Sequence, residues 1–536
     1  METADIGDIP VKALKALCAA RKLDTSGCTE KAELVALLQS SVAGWGALPG
    51  ADGKRAHGDV GSDEEQGASQ PRAKLQKPGR ECPYLDTLDR TMLDFDFEKL
   101  CSVSLVNLNV YGCLVCGKYF AGRSVGSHAV THALEANHYV FMHLGNAKIY
   151  CLPDDYEIVD SSLDDIKYQL GPTFARPALV GRAGQTQAGR ALDGADYLPG
   201  FVGLNNLKMT DGVNVVVHAL MRVVPLRTFL LDASNYEPWC DSLVLKRLGE
   251  LTRKIWNPQN YKSHVSPHEF VQAISVASEK KFSPGTPTDP ADFLAWLMTS
   301  LGRELSRAAS KARKKPGASA SERRLPRQSV VQQAFQGQVK LNTELLSAKQ
   351  AGVGSMSENE GLTEAHSNFM FLSLDLPPKP LYKNDQDKLV IPQVAIFDLL
   401  SKFDGESTEE VRGGAVRTFR LEAPLPPYLV LHFKRFKTNQ FFVEKNPTIV
   451  NFPVKNLELK DYVDGATAGM ETKYDLVANV VHEGTDAASG NYIVHLLDRS
   501  TEEWYKLQDL HVEPLLAQQV ALAETYLQVY ELQQSK

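Results

Sequence analysis

Four cysteine and histidine residues within one short stretch constrain this chain more than any other feature of its sequence. They follow the pattern C-x2-C-x15-H-x5-H at Cys113, Cys116, His132 and His138. Thiolate and imidazole ligands in this combination suit tetrahedral Zn²⁺, and four protein ligands leave no open position for a substrate. The pattern therefore predicts a small domain built around a structural zinc ion.

A second grouping of ligands remains open. With the same two cysteines, His128 and His132 give C-x2-C-x11-H-x3-H, with Phe120 at the core position of a small ββα zinc finger. Such a finger would be complete near His132, whereas the chain continues through strand-like runs up to residue 158 that need a larger partner sheet. This continuation favours the longer spacing.

Length and composition set the wider frame. A chain of 536 residues is too long for one hydrophobic core, so two or three domains are expected. The sequence has no apolar run long enough to span a membrane and no signal-peptide pattern at its start, which predicts a soluble intracellular protein with no membrane partner. The formal charge of -7 gives no whole-protein reason to bind nucleic acid.

The cysteine content is low, with eight in the whole chain, so reduced thiols are expected rather than structural disulfides. Three of them, Cys82, Cys101 and Cys151, lie near the metal pattern in sequence but have no second ligand close by. We expect these three to be core residues.

The N-terminal part of the chain divides into two segments. Residues 1–40 contain two short amphipathic helical patterns around a Thr-Ser-Gly turn and resemble a SAP-type helix-turn-helix module, a family associated with nucleic-acid binding. A protein-docking helical hairpin is an equally open interpretation. Residues 41–80 are rich in Gly, Ala, Ser and charged residues, which predicts a disordered linker.

The region from residue 197 onward predicts an α+β fold with segregated layers, because helical patterns precede strand patterns. Residues 242–256 and 291–305 read as helices, and residues 426–436 and 491–498 read as strands. A basic insertion at about 303–328 interrupts this region. It is either a solvated surface insertion or a strip that contacts RNA phosphates or an acidic partner.

Several stretches identify a family. The chain resembles the spliceosomal tri-snRNP-associated branch of the ubiquitin-specific-protease-like family over residues 82–105, 111–123, 150–166 and 197–220. The resemblance extends from about residue 81 to the end. It implies a zinc-finger UBP domain (81–185) with Cys113, Cys116, His132 and His138 as zinc ligands. A papain-like ubiquitin-specific-protease fold of fingers, palm and thumb (197–536) would follow it.

The resemblance also implies that the protease site is degenerate. Where active members have a motif like G-L-x-N-L-G-N-T-C, this chain has G-L-N-N-L-K-M-T-D, so Asp211 replaces the cysteine and Met209 replaces the oxyanion-stabilising asparagine. The general base, a histidine in the family, corresponds to Asn491, and the third triad member corresponds to Gln508, beside Asp509. Losing nucleophile and base together predicts a pseudoenzyme of this family.

The function implied is that of a catalytically inactive scaffold in the nucleus. It would support pre-mRNA splicing through assembly or stability of the U4/U6.U5 tri-snRNP, with tri-snRNP proteins and snRNA as partners. Two alternatives stay open: a noncanonical deubiquitinase, which would recruit His482 or His495 as its base, and a ubiquitin-binding adaptor. After Cys151 the only cysteine is Cys240, so the structural zinc in the fingers of many active members cannot form.

Overall fold

The computed structural model covers the two domains expected after the linker. The predicted module (1–40) and linker (41–80) lie outside the described residues. The structure describes residues 81–174, 188–315, 317, 319–345, 362–378, 392–411, 415–438, 443–467, 469–485 and 490–534.

The first domain is built on a five-stranded antiparallel sheet in the order β2-β1-β3-β4-β5. Its elements are β1 (Val110–Cys113), β2 (Tyr119–Ala121), α1 (His128–Ala136), β3 (Val140–His143), β4 (Ile149–Cys151), β5 (Tyr156–Ile158) and α2 (Asp164–Leu170). Helix α1 packs Ala129, Val130 and Ala133 into one of two small cores. The three cysteines predicted as core residues are buried.

The second domain begins with helices and continues mainly as strands. The helices are α3 (Asp211–Leu220), α4 (Val224–Leu231), α5 (Leu243–Ile255), α6 (His268–Ala277), α7 (Pro290–Lys314), α8 (Ala320–Arg323), α9 (Val330–Phe335), α10 (Ile396–Leu400) and α11 (Ala517–Ala521). The strands are β6 (Gly189–Arg190), β7 (Asp196–Tyr197), β8 (Gly203–Leu204), β9 (His264–Val265), β10 (Gly337–Leu345), β11 (Leu362–Phe369), β12 (Leu372–Asp375), β13 (Gln393–Ala395), β14 (Glu409–Val411), β15 (Ala415–Glu422), β16 (Tyr428–Lys434), β17 (Phe436–Thr438), β18 (Val443–Lys445), β19 (Ile449–Asn451), β20 (Leu457–Glu458), β21 (Val463–Asp464), β22 (Lys473–Gly484), β23 (Gly490–Asp498), β24 (Glu503–Gln508), β25 (His511–Leu515) and β26 (Thr525–Leu532).

An eight-stranded sheet separates two hydrophobic cores. Its strands run in the order β12-β16-β26-β22-β23-β24-β25, with β20 paired to β22. Along β16, Tyr428 and Val430 belong to the core shared with the helices, while Leu429 and Leu431 belong to the core on the other face. Alternate side chains of a β-strand point to opposite faces of the sheet, which explains this division between the two cores. That second core also contacts the sheet β11-β10-β15-β14, so the predicted α+β architecture with segregated layers is confirmed.

Helix α3 is buried on every side. All of its residues except Asp211 are buried, and at Gly212 an added Cβ would lie 2.1 Å from the Thr288 carbonyl oxygen. A helix that is apolar all round belongs in a core. Within the described residues, no single helix has the length and hydropathy to cross a membrane, although α3 and α4 pass that test as a pair bent by 97°.

The basic segment is more ordered than the sequence interpretation allowed. Residues 303–314 form the C-terminal part of α7, and α8 follows at Ala320–Arg323. Leu305, Ala309 and Ala312 are buried at a spacing of four and three, which is a helical stripe. The stretch up to residue 314 is therefore a helix with one buried face, while Arg307, Lys311 and Lys314 are exposed.

The second domain also begins earlier than predicted. Ala191, just after β6, and Tyr197 are both buried in the core of this domain. The strands β6 and β7 pair there as a short hairpin. Residues 189–196, which lay between the two predicted domain ranges, therefore pack with the second domain.

Two partly buried ion pairs join the two domains. The Lys254 ammonium in α5 contacts the Asp96 carboxylate at 2.8 Å and donates to the Phe95 carbonyl oxygen at 2.8 Å. The second Asp96 oxygen accepts from the Ser266 N–H at 2.8 Å, and Lys262 contacts Asp94 at 2.6 Å. Because Asp96 takes partners from two places in the second domain, it fixes the approach of the segment that precedes the zinc pattern.

We expect Asp96→Ala to destabilise the protein by about 3–5 kcal/mol, because it leaves the buried Lys254 ammonium without its carboxylate. The matched control is Asp292→Ala, which breaks the pair with Lys281, where both side chains are more than half exposed. Such a pair contributes at most about 1 kcal/mol. Urea unfolding measures both. Equal losses in the two variants would contradict the role of Asp96.

Candidate functional sites: a metal centre and a cleft

The four residues of the metal pattern lie on three neighbouring pieces of the first domain. Cys113 ends β1 and Cys116 lies in the turn after it, while His132 is in α1. Helix α1 ends at Ala136 and is capped by Asn137, whose φ of 58° is left-handed. This turn places His138 beside His132. The Asn side chain tolerates this backbone conformation well.

The distances between the ligand atoms suit a tetrahedral zinc ion. All four atoms lie within 4.8 Å of one another. Cys116 Sγ is 3.4 Å from His132 Nε2, Cys113 Sγ is 3.6 Å from His138 Nδ1, and the two histidine nitrogens are 3.2 Å apart. Bonds of about 2.0 Å to nitrogen and about 2.3 Å to sulfur put tetrahedral ligands about 3.3–3.8 Å apart. The domain therefore holds a Cys/His cluster that could bind a metal ion, and His128 is not part of it.

The start of α3 meets β23 at the position expected for the protease site. The Asp211 carboxylate accepts a hydrogen bond from the Tyr492 N–H at 2.9 Å, and Asn491 is the exposed residue just before it on β23. Residues 281 positions apart in sequence thus come together at the start of a helix. Met209 lies in the preceding turn with a φ of 57° and is 50% exposed.

Asp509, rather than Gln508, reaches this turn. The Asn206 amide donates to the Asp509 carboxylate at 3.4 Å, and the Asn206 side-chain oxygen accepts from the Thr210 N–H at 3.0 Å. The Leu204 N–H donates to the Asp509 carbonyl oxygen at 2.9 Å. The motif positions had pointed to Gln508 as the third member. Its neighbour Asp509 makes the contact with Asn206 instead. The only sequence signal for Asp509 was an acidic residue just past the end of a strand.

Two carboxylates therefore lie near each other in the cleft. Burial raises the pKa of Asp509, and the negative charge of Asp211 raises it further, against the hydrogen bond from Asn206. One Asp509 oxygen, Oδ1, is buried with no hydrogen-bond partner in the described part of the chain. The arrangement makes ionisation of Asp509 less favourable than that of an ordinary aspartate.

The two histidines considered as alternative bases, His482 and His495, are core residues. His482 is 1% exposed, and neither of its ring nitrogens has a hydrogen-bond partner among the described residues. It packs edge-on against Phe436 and Tyr492 at ring distances of 5.1 and 4.9 Å. Burial lowers the pKa of His482 to about 4, and burial likewise lowers that of His495 to about 4.

Substitution of the histidines distinguishes the two possible sets of zinc ligands. We expect His138→Ala to lose about one equivalent of zinc per chain and to destabilise the first domain, since binding energy at a structural site is folding energy. The matched control His128→Ala should retain that zinc. Metal analysis of the purified full chain measures both, and zinc loss from the His128 variant alone would support the shorter spacing instead.

Asp509 gives a pH-dependent prediction. Because its folded-state pKa is raised, its ionisation costs stability once the pH exceeds that pKa, and the cost vanishes below the unfolded pKa. We expect Asp509→Asn to raise the thermal unfolding midpoint near pH 7 and the gain to shrink towards about pH 4. Asp461→Asn, at an exposed position, is the control. A gain that does not vary with pH would contradict the charge argument.

Comparisons with known proteins agree with this architecture. Residues 202–530 match the family described as "Ubiquitin carboxyl-terminal hydrolase", and residues 101–163 match "Zn-finger in ubiquitin-hydrolases and other protein". The chain is 44% identical over 468 residues to human "Ubiquitin carboxyl-terminal hydrolase 39", covering 84% of this chain and 80% of that protein. It is 39% identical over 458 residues to "Probable mRNA-splicing protein ubp10" of Schizosaccharomyces pombe, covering 84% and 88%.

The fold also matches solved structures. A crystal structure of "an essential yeast splicing factor" superposes with a TM-score of 0.65 at 30% identity, covering 84% of this chain and all of that one. The Ubp8 deubiquitinating module bound to ubiquitin aldehyde superposes with a TM-score of 0.50 at 16% identity, over 82% of this chain and 91% of that one, which shows the fold alone. By its sequence and its fold, the chain belongs to the ubiquitin carboxyl-terminal hydrolase family and carries the zinc-finger domain found in such hydrolases.

Proposed function

We propose that this chain is a catalytically inactive, protease-like scaffold of pre-mRNA splicing that acts in the nucleus and supports assembly or stability of the U4/U6.U5 tri-snRNP. The observation that carries the inactive part is the contact of Asp211 with the Tyr492 backbone N–H. At the family's nucleophile position there is a carboxylate whose oxygen is already engaged by the protein. Cys113, Cys116, His132 and His138 would hold a zinc ion with a structural role.

The chemistry at the start of α3 supports the absence of turnover. A carboxylate there is stabilised by the helix N-terminus and attacks an amide poorly. Met209 has no hydrogen to donate to an oxyanion, and Asn491 cannot accept a proton at neutral pH. Cys240, the one cysteine after Cys151, is buried in the connection between α4 and α5 and not at this helix end.

The surroundings of the two candidate bases, His482 and His495, argue against a noncanonical hydrolase. An effective general base has a pKa near the working pH and lies within hydrogen-bond reach of the reacting group. Burial brings the pKa of His482 to about 4, and its ring nitrogens make no hydrogen bond among the described residues. His495 is also buried, with a similarly lowered pKa of about 4. Neither histidine is arranged to activate Asp211.

The splicing part of the proposal rests on relatives. Beside the fission-yeast protein, "Pre-mRNA-splicing factor SAD1" of Saccharomyces cerevisiae is 30% identical over 501 residues, covering 90% of this chain and 99% of that protein. Relatives with these names imply association with the spliceosome and a nuclear location. Tri-snRNP proteins and snRNA are the partners we propose.

The catalytic proposal predicts no hydrolysis of a fluorogenic ubiquitin amide and no adduct with ubiquitin bearing a thiol-reactive C-terminal group. The purified full chain is assayed beside an active deubiquitinase and beside Asp211→Ala. Turnover by the full chain that Asp211→Ala abolishes would contradict the proposal. Titration of ubiquitin in the same preparation tests the adaptor alternative, for which saturable binding without turnover is the signature.

The splicing proposal predicts that the tagged full chain recovers the U4, U5 and U6 RNAs from nuclear extract. Asp211→Ala is the matched variant, because removing this carboxylate should leave the recovery unchanged if the role does not depend on hydrolysis. Sequencing of the bound RNA measures the result. Recovery of none of these RNAs would count against the assignment even if the protein proved inactive as a hydrolase.

A further inference from the structure

A large groove lies on the helical side of the second domain. It has a volume of about 970 Å³ and runs between the α4–α5 connection, the start of α5, the end of α6 and the C-terminal half of α7. None of the Asp211, Met209, Asn491 or Asp509 side chains lines it. The groove is therefore a feature separate from the cleft.

The walls of the groove are apolar and partly uncovered. Leu243 at the start of α5 is 51% exposed, and Val276 near the end of α6 is 70% exposed. Between them, Ala308 and Ala312 of α7 present small side chains that leave space for a larger one. Single exposed aliphatic residues are ordinary, but several around one concave surface with a polar rim are typical of an interaction site.

The rim of the groove carries free positive charge. Arg307, Lys311, Lys314 and Lys315 line it, and none of them has a carboxylate within ion-pair distance in the described residues. Residues 303–327 contain nine lysines and arginines against two glutamates. The segment is therefore strongly cationic within a chain whose net charge is negative.

The acidic residues at the rim are already engaged by the protein. Glu304 accepts hydrogen bonds from the Ser242 and Ser300 hydroxyls, and Glu322 accepts from the Ser319 N–H in a capping box. Asp241 pairs with Lys246 at 3.4 Å. These hydrogen bonds hold the carboxylates in place but do not cancel their charge. The rim has four cations against three carboxylates, of which Asp241 is paired with Lys246, so its net charge is positive around an apolar floor.

We propose that this groove binds an amphipathic acidic helix of a partner protein. The stretch of α7 from Glu304 to Lys314 is about 16 Å long, the length of about three helical turns. Apolar side chains at i, i+3 or i+4 and i+7 would enter the groove, and flanking Asp and Glu residues would face the four cations. This proposal for the groove does not depend on the splicing role proposed above.

The chemistry of the groove favours a peptide over RNA. Proteins that bind single-stranded RNA combine a cationic path with aromatic rings on which bases stack. Among the described lining residues only Trp239 has an aromatic ring, and this ring packs partly against the core. Leucine-like side chains match the floor better than bases do.

The first test uses a defined probe against the purified full chain. A fluorescein-labelled helical peptide of about 14 residues, with leucines on one face and glutamates on the others, is titrated by fluorescence anisotropy. We expect saturable binding in the micromolar range. The same composition scrambled to break the leucine face, and an uncapped oligouridine, should each bind at least about tenfold more weakly. No saturable binding of the helical peptide, equal binding of the scrambled one, or tighter binding of the RNA would overturn the proposal.

Paired variants locate the binding site. Val276→Asp, and Lys311→Glu combined with Lys315→Glu, should each weaken binding by about tenfold or more. All three positions are exposed, so the fold should survive, and the thermal unfolding midpoint checks this. The matched controls are Val159→Asp, at a valine that is 76% exposed in the first domain, and Lys460→Glu, at an exposed lysine away from the groove. Equal weakening by the control variants would place the peptide elsewhere and refute the groove.

Discussion

The burial of α3 is the constraint on which the rest of the second domain depends. Nine of its ten residues are enclosed by the large sheet and the surrounding helices, so its position is fixed by packing and not by the residue at its first position. Large-to-small changes inside such a helix typically cost about 2–5 kcal/mol. A change at Asp211, at the edge of this core, alters chemistry while the helix stays where the core puts it.

This separation explains how a carboxylate can stand at the first position of α3 without disturbing the fold. The backbone N–H groups at a helix start favour a negative charge, and the Tyr492 N–H satisfies one carboxylate oxygen. Asp211 thus takes over a structural role in joining α3 to β23. The cost falls on Asp509, whose own ionisation becomes less favourable beside a second carboxylate.

Much of the fold could be predicted from the sequence, because its strongest patterns are local. The strand at 428–434 is a largely apolar run buried on both faces, and the helix at 243–255 has the periodicity of a buried face. The ligand set at 113–138 predicted a cluster that needs only one turn and one helix to form. The contact between Asn206 and Asp509 could not be predicted, since it depends on the close approach of the Gly203 and Leu510 backbones. The order of α7 beyond residue 303 was also missed, because its buried face consists largely of alanine.

The same helix limits what net charge can say about binding. Charges in solution are screened over about 8 Å at physiological ionic strength, which is shorter than the part of α7 that carries the exposed cations. A ligand near Arg307 or Lys311 therefore responds to that local cluster rather than to the formal charge of -7. The formal charge had given no whole-protein reason to bind nucleic acid. The structure limits that argument to surfaces other than α7, because it gathers the cations on one helix and engages the neighbouring acids in internal bonds.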